Sequence, residues 1–511
     1  MRSVRQAAVC ALLACAAGSA SAQLRIATWN ISNYGGGREA DFKTAVYTSF
    51  EGRSMSPDIL MVQEVTSNTG ASNLLTYLNN APGSPGDWSR FTFVDGPDTD
   101  VAVLYRTSKI RPVNPPAQGD PDGYPNPITV VTGGNSNGAP RNVYRFDVQL
   151  QGYNAASTVV SLYPVHMKAG DASSDQSRRL AEATLIRANI ATLPAGWHSV
   201  IAGDFNVQSS TQSAYQHMTG APSLGRVNDP IRTPGSWNNN SAFRIVHTQD
   251  PAGAGGMDDR HDQILISDGL LDGQGFDYIG SLTQPYSTTT WNDPNHSYRS
   301  YGNDGTSYNA TLTVAGNTMV GPTIAQALIT ICNGAGHLPI LLDTRVPAKV
   351  TSDSVLNFGD AYVGDPSVSR TLNVSNDGNV AVWSAAGIAN LSYSLGGAPA
   401  EYTVPAGTFN DAAGGGQNGH TITLSTIDPG DFGGTLTITS NDPDQPTRTV
   451  TLVGTVWCPA DFDKSGFVDI EDYDAFVEAF EAGTDDADFD KSGFVDIVDF
   501  SEFVLRFEIG C

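Results

Sequence analysis

Ser199-Val200-Ile201-Ala202-Gly203-Asp204-Phe205-Asn206 carries a short, largely apolar run straight into an acid and an amide. A run of this length suits a strand buried on both faces, and the polar residues after it then stand at the strand's exit. The same pattern recurs along the chain. Leu24 to Trp29 leads into Asn30, Asp58 to Val62 into Gln63-Glu64, and Thr158 to Val165 into His166. Val101 to Tyr105, Gln263 to Ile266 and Pro339 to Leu342 are further runs of strand length. Ser177 to Ala191 has helical spacing, with Leu180, Ala183, Ile186 and Ile190 as its buried face and Asp175 as its cap. These runs predict a layered α/β domain. Acids, an imidazole and amides at strand exits can converge on one sheet edge, where ligands of such folds bind.

Each strand-exit residue has an ordinary explanation when taken alone. Asn30 reads as a turn residue, Glu64 as a surface acid, His166 as a half-buried histidine and Asp204 as a turn cap. Together, and in this order, they are far more specific. Six pieces follow one another: Ala27-Thr28-Trp29-Asn30, Asp58 through Glu64, Val165-His166-Met167-Lys168, Gly203-Asp204-Phe205-Asn206, Asp262 through Ser267, and Gly336-His337-Leu338-Pro339. This series resembles the endonuclease/exonuclease/phosphatase superfamily, which includes pancreatic-type deoxyribonucleases, apurinic endonucleases, sphingomyelinases and inositol phosphatases. It covers nearly all of residues 24 to 343.

The resemblance implies a four-layered α/β sandwich and a metal-dependent phosphoester hydrolase. It implies Glu64 as the main ligand of Mg²⁺ or Mn²⁺ with Asn30 beside it. Asp204 would align or deprotonate the attacking water, and Asn206 would hold the phosphate. His166 would stabilise charge on the phosphate or leaving group, and Asp262 would orient the His337 ring. A hard cation with oxygen ligands suits this chemistry, because it neutralises charge developing on an anionic phosphoester. The leading expectation is an endonuclease or phosphodiesterase, with a sphingomyelinase-like lipid phosphodiesterase or a phosphatase as the alternative; the substrate is left open among DNA, RNA, lipid and small phosphoesters.

One departure stands out. An aspartate usually precedes the family's final histidine, and here that position is Gly336. It favours a rival reading, a catalytically weakened surface or scaffold-binding protein, whereas intact Glu64, Asp204, Asn206, Asp262 and His337 favour an enzyme. Gly256 through His261 is expected as a loop beside the site or a solvated turn. Trp237, within an Asn-rich segment, is expected either to stack on substrate or to fill core.

Residues 347–456 read as an all-β sandwich. Thr371 to Ser375, Thr421 to Ser425, Thr435 to Thr439 and Thr449 to Val453 alternate with period two, with turn signals at Asn376-Asp377-Gly378 and Asn441-Asp442-Pro443. Leu356 to Asp360 and Ser440 to Asp444 resemble immunoglobulin-like domains found beside extracellular enzymes.

Residues 457–511 are acidic and repeated. Asp461 through Asp472 recurs as Asp488 through Asp499 with one change, Glu471 to Val498. Oxygen side chains fall at loop positions one, three, five, nine and twelve: Asp461, Asp463, Ser465, Asp469 and Asp472, then Asp488, Asp490, Ser492, Asp496 and Asp499. With Gly at position six, this is the spacing of a Ca²⁺-binding EF-hand loop. The aspartate at position twelve resembles dockerin-type loops, which implies an anchor with a cohesin-like or cell-surface partner. Tyr473, Phe476, Val477 and Phe480, and Phe500, Phe503, Val504 and Phe507, have the spacing of facing helices.

The 511 residues carry a formal charge of −25, which argues against a broad basic nucleic-acid-binding surface. About half of that charge comes from the last 55 residues, which hold sixteen acids against three bases. Residues 1–22 read as a secretory signal: Arg2 and Arg5, an apolar stretch from Ala7 to Ala17, and Ala20-Ser21-Ala22 for cleavage. Leu12-Leu13-Ala14-Cys15 leaves a lipoprotein signal open as the alternative. The stretch is too short to span a bilayer, and no later segment is expected to cross one. A secreted chain of a catalytic domain (23–346), a sandwich (347–456) and a calcium module (457–511) is the resulting expectation. Cys458 and Cys511 bracket the module and suggest a disulfide, leaving Cys332 buried and inert.

Overall fold

The strand-length runs pair into two seven-stranded sheets. In the computed structural model, which describes residues 23–116, 122–253, 255–378, 380 and 382–510, the first sheet is centred on Leu24–Tyr34. That strand pairs in parallel with Ile59–Val65 and antiparallel with Ile340–Arg345. The sheet continues outward to Asp100–Arg106 and Trp88–Arg90. The second sheet pairs His198–Asp204 in parallel with Val159–His166 and antiparallel with Asp262–Ser267, and continues to Val143–Leu150.

Each sheet is covered on its outer face by helices. Glu39–Tyr47, Asn68–Asn79 and Gly321–Cys332 bury Phe42, Leu74, Ile324 and Leu328 against Ala27 and Trp29 of the first sheet. Ser173–Ile190 and Ser213–Thr219 bury Ala183, Ile186 and Met218 against Tyr163, Ile201 and Leu265 of the second. The central strands are buried along almost their whole length, as strands sandwiched between layers must be. The result is four layers, helix–sheet–sheet–helix.

The helix expected from Ser177 begins earlier, at Ser173. Its N-cap is Ala172, without a side-chain bond, so Asp175 is not the cap; it lies in the first turn, where its charge suits the helix dipole. Leu180 is only partly buried, and Arg179 and Glu182 fill the face beside it. The expected signal segment, residues 1–22, lies outside the described residues. No helix among the described residues is long and apolar enough to cross a membrane.

The chain divides into two compact units. The first runs to Arg345 and includes 381–387; the second comprises 346–380 and 388–511. In the second, a four-stranded and a six-stranded sheet enclose Leu372, Ile422, Leu436 and Val450. The period-two segments fall in strands Val368–Asn376, Asn418–Leu424, Gly434–Ser440 and Thr447–Trp457, with Ser425 alone lying past its strand's end. One pairing is parallel, Val355–Tyr362 on Thr447–Trp457, with a register shift between Asn357 and Gly359, the latter at φ 74°. Helices Ile470–Ala482 and Ile497–Ile509 follow, each opened by a capping box from Asp469 or Asp496. They face each other through Phe476 and Phe503, stacked at 3.9 Å.

Candidate active site

The register of the two sheets brings the expected residues together. Asp204 pairs with His166 on one side and Asp262 on the other, because their strands are neighbours in that order. Glu64, one residue before the end of its strand at a register shift, has φ 64°, and Asn206, two residues beyond its strand, has φ 53°. Both are left-handed backbone at non-glycine positions, a strain of the kind that collects at functional sites. The strain re-aims each side chain out of the strand's alternation.

Asn30 Nδ2 donates to Glu64 Oε1 at 3.0 Å and to Asp204 Oδ2 at 3.2 Å. Asn33 N donates to Glu64 Oε2 at 2.9 Å. His166 Nε2 stands 3.4 Å from Asp204 Oδ2 and 3.9 Å from Glu64 Oε1. Asn206 donates its backbone N–H to Asp204 Oδ1 at 3.0 Å and its amide to Met167 O at 3.1 Å. His337 Nδ1 lies 2.8 Å from Asp262 Oδ2 and 3.7 Å from Asp204 Oδ2. All seven residues expected at the catalytic site, Asn30, Glu64, His166, Asp204, Asn206, Asp262 and His337, therefore form one connected constellation.

Its electrostatics separate the two imidazoles. Burial alone would lower His337, but Asp262, Asp204 and Glu64 outweigh it and raise its pKa to about 10. His166 is pushed below the usual histidine range, chiefly by burial. The Asp204 carboxyl would rise on burial, yet His337, His166, His261 and the Asn30 amide hold it down at about 2. The site thus holds an ionised Asp204, a cationic His337 and a neutral His166 near neutral pH.

The donor set fits a hard divalent cation. The Glu64 carboxylate and the Asn30 amide stand together, with a second carboxylate, Asp204, bound to the same amide. The carboxylate oxygens of Glu64 and Asp204 suit Mg²⁺ or Mn²⁺ rather than a soft metal, while the Asn30 amide turns its nitrogen to them and its Oδ1 to the Ser32 N–H at 3.1 Å.

Some participants were not anticipated. Thr248 Oγ1 donates to Asp262 Oδ2 at 2.5 Å; nothing in the sequence marks it. His261 is buried with neither ring nitrogen bonded, its ring 6.1 Å from that of His337. Burial lowers its pKa to about 4. The Gly256–His261 segment is thus beside the site, as one of the two expectations had it. Trp237 is core: its ring is fully buried 5.2 Å from Tyr215, with the Arg260 guanidinium over it. Cys332 is buried and its Sγ donates to His337 O at 3.0 Å.

The C-terminal loops assemble only part of their expected ligands. Carboxylate oxygens of Asp461, Asp463 and Asp472 lie within 4.8 Å of one another, as do those of Asp488, Asp490 and Asp499. Asp461 is 3 % exposed and its Oδ1 has no partner, a buried acceptor that a cation would satisfy. Asp469 and Asp496 instead cap the following helices, and the Ser465 and Ser492 hydroxyls turn to the carbonyls of Phe467 and Phe494. Cys511 lies outside the described residues.

The match to a family model takes in five of the six pieces, all but Gly336 to Pro339. No curated protein matches the chain. Among solved structures it is similar to D. rerio TDP2 complexed with a single-strand DNA product: 15% identity, 64% of this chain and 100% of that one, TM-score 0.36. It is also similar to the human Nocturnin catalytic domain, at 12% identity over 63% of this chain and 94% of that one, TM-score 0.32. Beta toxin from Staphylococcus aureus is a third, at 13% identity over 63% and 100%, TM-score 0.33. The model of the Endonuclease/Exonuclease/phosphatase family matches residues 27–282, and the chain belongs to that family of hydrolases acting on phosphoester bonds.

Proposed function

We propose that the protein is a secreted, metal-dependent phosphodiesterase that drives water onto phosphorus. One observation carries this reading: Asn30 ties Glu64 to Asp204, so the candidate cation ligand and the candidate activator of water share one amide. Bound at Glu64, with Asn30 beside it, a Mg²⁺ or Mn²⁺ ion would supply Lewis-acid stabilisation of the phosphoryl oxygens. The chain's own groups do the rest. Asp204, ionised at working pH, orients the attacking water and accepts its proton. Asn206, its amide fixed by Met167 O, holds the phosphate. His166 donates its ring N–H to a phosphoryl or leaving oxygen. His337, kept protonated by Asp262, presents a positive charge to the phosphorane.

The other parts of the reading concern targeting. Residues 1–22 act as a secretory signal, and residues 23–346 form the catalytic domain. Residues 347–456 form an immunoglobulin-like spacer. Residues 457–511 form a dockerin-like Ca²⁺ module that binds a cohesin-like or cell-surface partner and is closed by Cys458–Cys511. The buried, partnerless Asp461 Oδ1 supports the calcium assignment.

The test is a panel on the purified full chain: an aryl phosphodiester, DNA, RNA, sphingomyelin and a phosphomonoester, each with Mg²⁺, Mn²⁺, Ca²⁺ or chelator. Hydrolysis of a diester with Mg²⁺ or Mn²⁺ and none in chelator is the expected outcome. Hydrolysis only of the monoester would replace the diesterase reading with a phosphatase.

A further inference from the structure

A pocket of about 310 Å³ opens among the segments that follow His166 and Asn206 along the chain. Its walls continue the two strand exits that carry the chemistry. Gln208 lies two residues beyond Asn206, within about 7.6 Å of it along the chain. Asp171 lies on the loop that leaves His166, and Asn238 is held against Gln208 by a bond from its N–H to Gln208 O at 3.3 Å. The remaining lining is hydroxyl and amide, including Gln176, Gln212 and Ser236. No lysine or arginine lines it.

The pocket is built, not incidental. Arg179, fully buried, donates to Gln212 Oε1 at 3.0 Å, and Gln212 Nε2 donates to Asp171 Oδ1 at 2.7 Å. Gln176 Nε2 reaches the same oxygen at 3.0 Å, and Arg179 stands 3.6 Å from it. These contacts fix the carboxylate through Oδ1. The pocket therefore offers acceptors and neutral amides, which favour hydrogen-bond donors and disfavour phosphate.

Four cations around the His166 loop are engaged within the chain. Arg141 pairs with Asp98 at 2.8 Å and Lys168 with Asp175 at 3.2 Å. Arg178 donates to Gly138 O and Asn135 O, and Arg179 is held as described. A polynucleotide needs basic groups for the phosphates on either side of the cut and aromatic faces for its bases. Here the four cations have partners, and Trp237 is core.

We propose that this pocket seats a neutral, hydroxyl-bearing ester group, so that the substrate is a small phosphodiester of a polyol or sugar and not a polynucleotide. This rests on the phosphodiesterase reading above. The reacting phosphorus lies over Asp204 and Asn206, while the hydroxyls of one ester group bond to Asp171, Gln208 and Asn238.

The experiment compares kcat/KM of the full chain with Mg²⁺ on three substrates: p-nitrophenyl myo-inositol phosphodiester, phenyl p-nitrophenyl phosphodiester and a single-stranded oligonucleotide. The inositol ester is expected to exceed the phenyl ester by at least about tenfold, the worth of one hydrogen bond to a charged acceptor. Gln208→Ala and Asn238→Ala, both at partly or fully exposed positions, should each reduce that preference several-fold. A ratio near one, a ratio untouched by both variants, or an oligonucleotide cleaved best would overturn the proposal while leaving the diesterase reading standing. No hydrolysis of any of the three would overturn the diesterase reading itself, and this proposal with it.

Discussion

His337 Nδ1 stands 2.8 Å from the fully buried Asp262 Oδ2, whose other contact is the Thr248 hydroxyl at 2.5 Å. Asp262 belongs to the second sheet, whereas His337 stands three residues before the strand Ile340–Arg345 of the first, so the pair joins the edges of both at the site. The imidazolium stabilises the charge of this buried carboxylate.

His337→Ala is expected to lower kcat by about a hundredfold or more, the usual worth of a positioned acid or base. Asp262→Asn, which keeps the shape but removes the charge, should show most of the same loss. A mild effect of both, measured on an aryl phosphodiester with saturating Mg²⁺, would place the reacting charge elsewhere.

The same pair makes a prediction about pH. His337 is raised to about 10 in the folded state, so its contribution to stability is complete below about 6.5, the unfolded value, and is lost as pH rises through about 10. Asp204, held at about 2, contributes above about 3.9 and loses its contribution as pH falls through about 2. The metal-free protein should therefore melt at lower temperature at pH 10 than at pH 7. His337→Gln should flatten that decline. An equal slope in both forms would show that His337 is not protonated in the folded protein.

How far the sequence revealed all this can be argued residue by residue. Asp204, His166 and Asp262 were legible because each stands at the end or start of an apolar run of strand length, and strand pairing then decides their neighbours. Glu64 and Asn206 were legible as residues but not as geometry: their left-handed backbone depends on the surrounding packing. Thr248 was not legible as a site residue, since it sits in an irregular segment without periodicity, and His261 was legible only as part of a segment open to two readings, a loop beside the site or a solvated turn. Asp175 was misread because a helix boundary shifts easily by a turn, and the real cap, Ala172, carries no capping side chain. Trp237 left two readings open, and the packing of Tyr215 and Arg260 on its ring decided for core.

Gly336 bears on metal affinity. A Cβ built there would lie 3.0 Å from Cys332 Cα and 3.1 Å from Asn30 O, both backbone atoms. Gly336→Asp should therefore lower the melting temperature while placing a carboxylate beside Asn30. The expected gain is a roughly tenfold lower Mg²⁺ concentration for half-maximal rate, the lower end of effects from outer-sphere partners. An unchanged half-saturation in a folded variant would separate position 336 from the metal.

Calcium should order the C-terminal loops. In the full chain, Ca²⁺ is expected to protect residues 457–511 from proteolysis with a midpoint near 10⁻⁴ to 10⁻³ M, the range of extracellular modules. Asp461→Ala and Asp488→Ala together should abolish that protection without altering the Mg²⁺ dependence of hydrolysis, since the two sites share no residue. Equal protection in chelator would remove calcium from the account.

The most direct test of the central claim is the rate of hydrolysis of an aryl phosphodiester by the wild-type chain and by Glu64→Gln, titrated with Mg²⁺ from chelator upward. The expected results are no turnover in chelator, saturable activation of the wild type, and a Glu64→Gln variant that needs at least about tenfold more Mg²⁺ or stays inactive. Turnover that persists in excess chelator, or a variant with the wild-type Mg²⁺ dependence, would contradict the central claim.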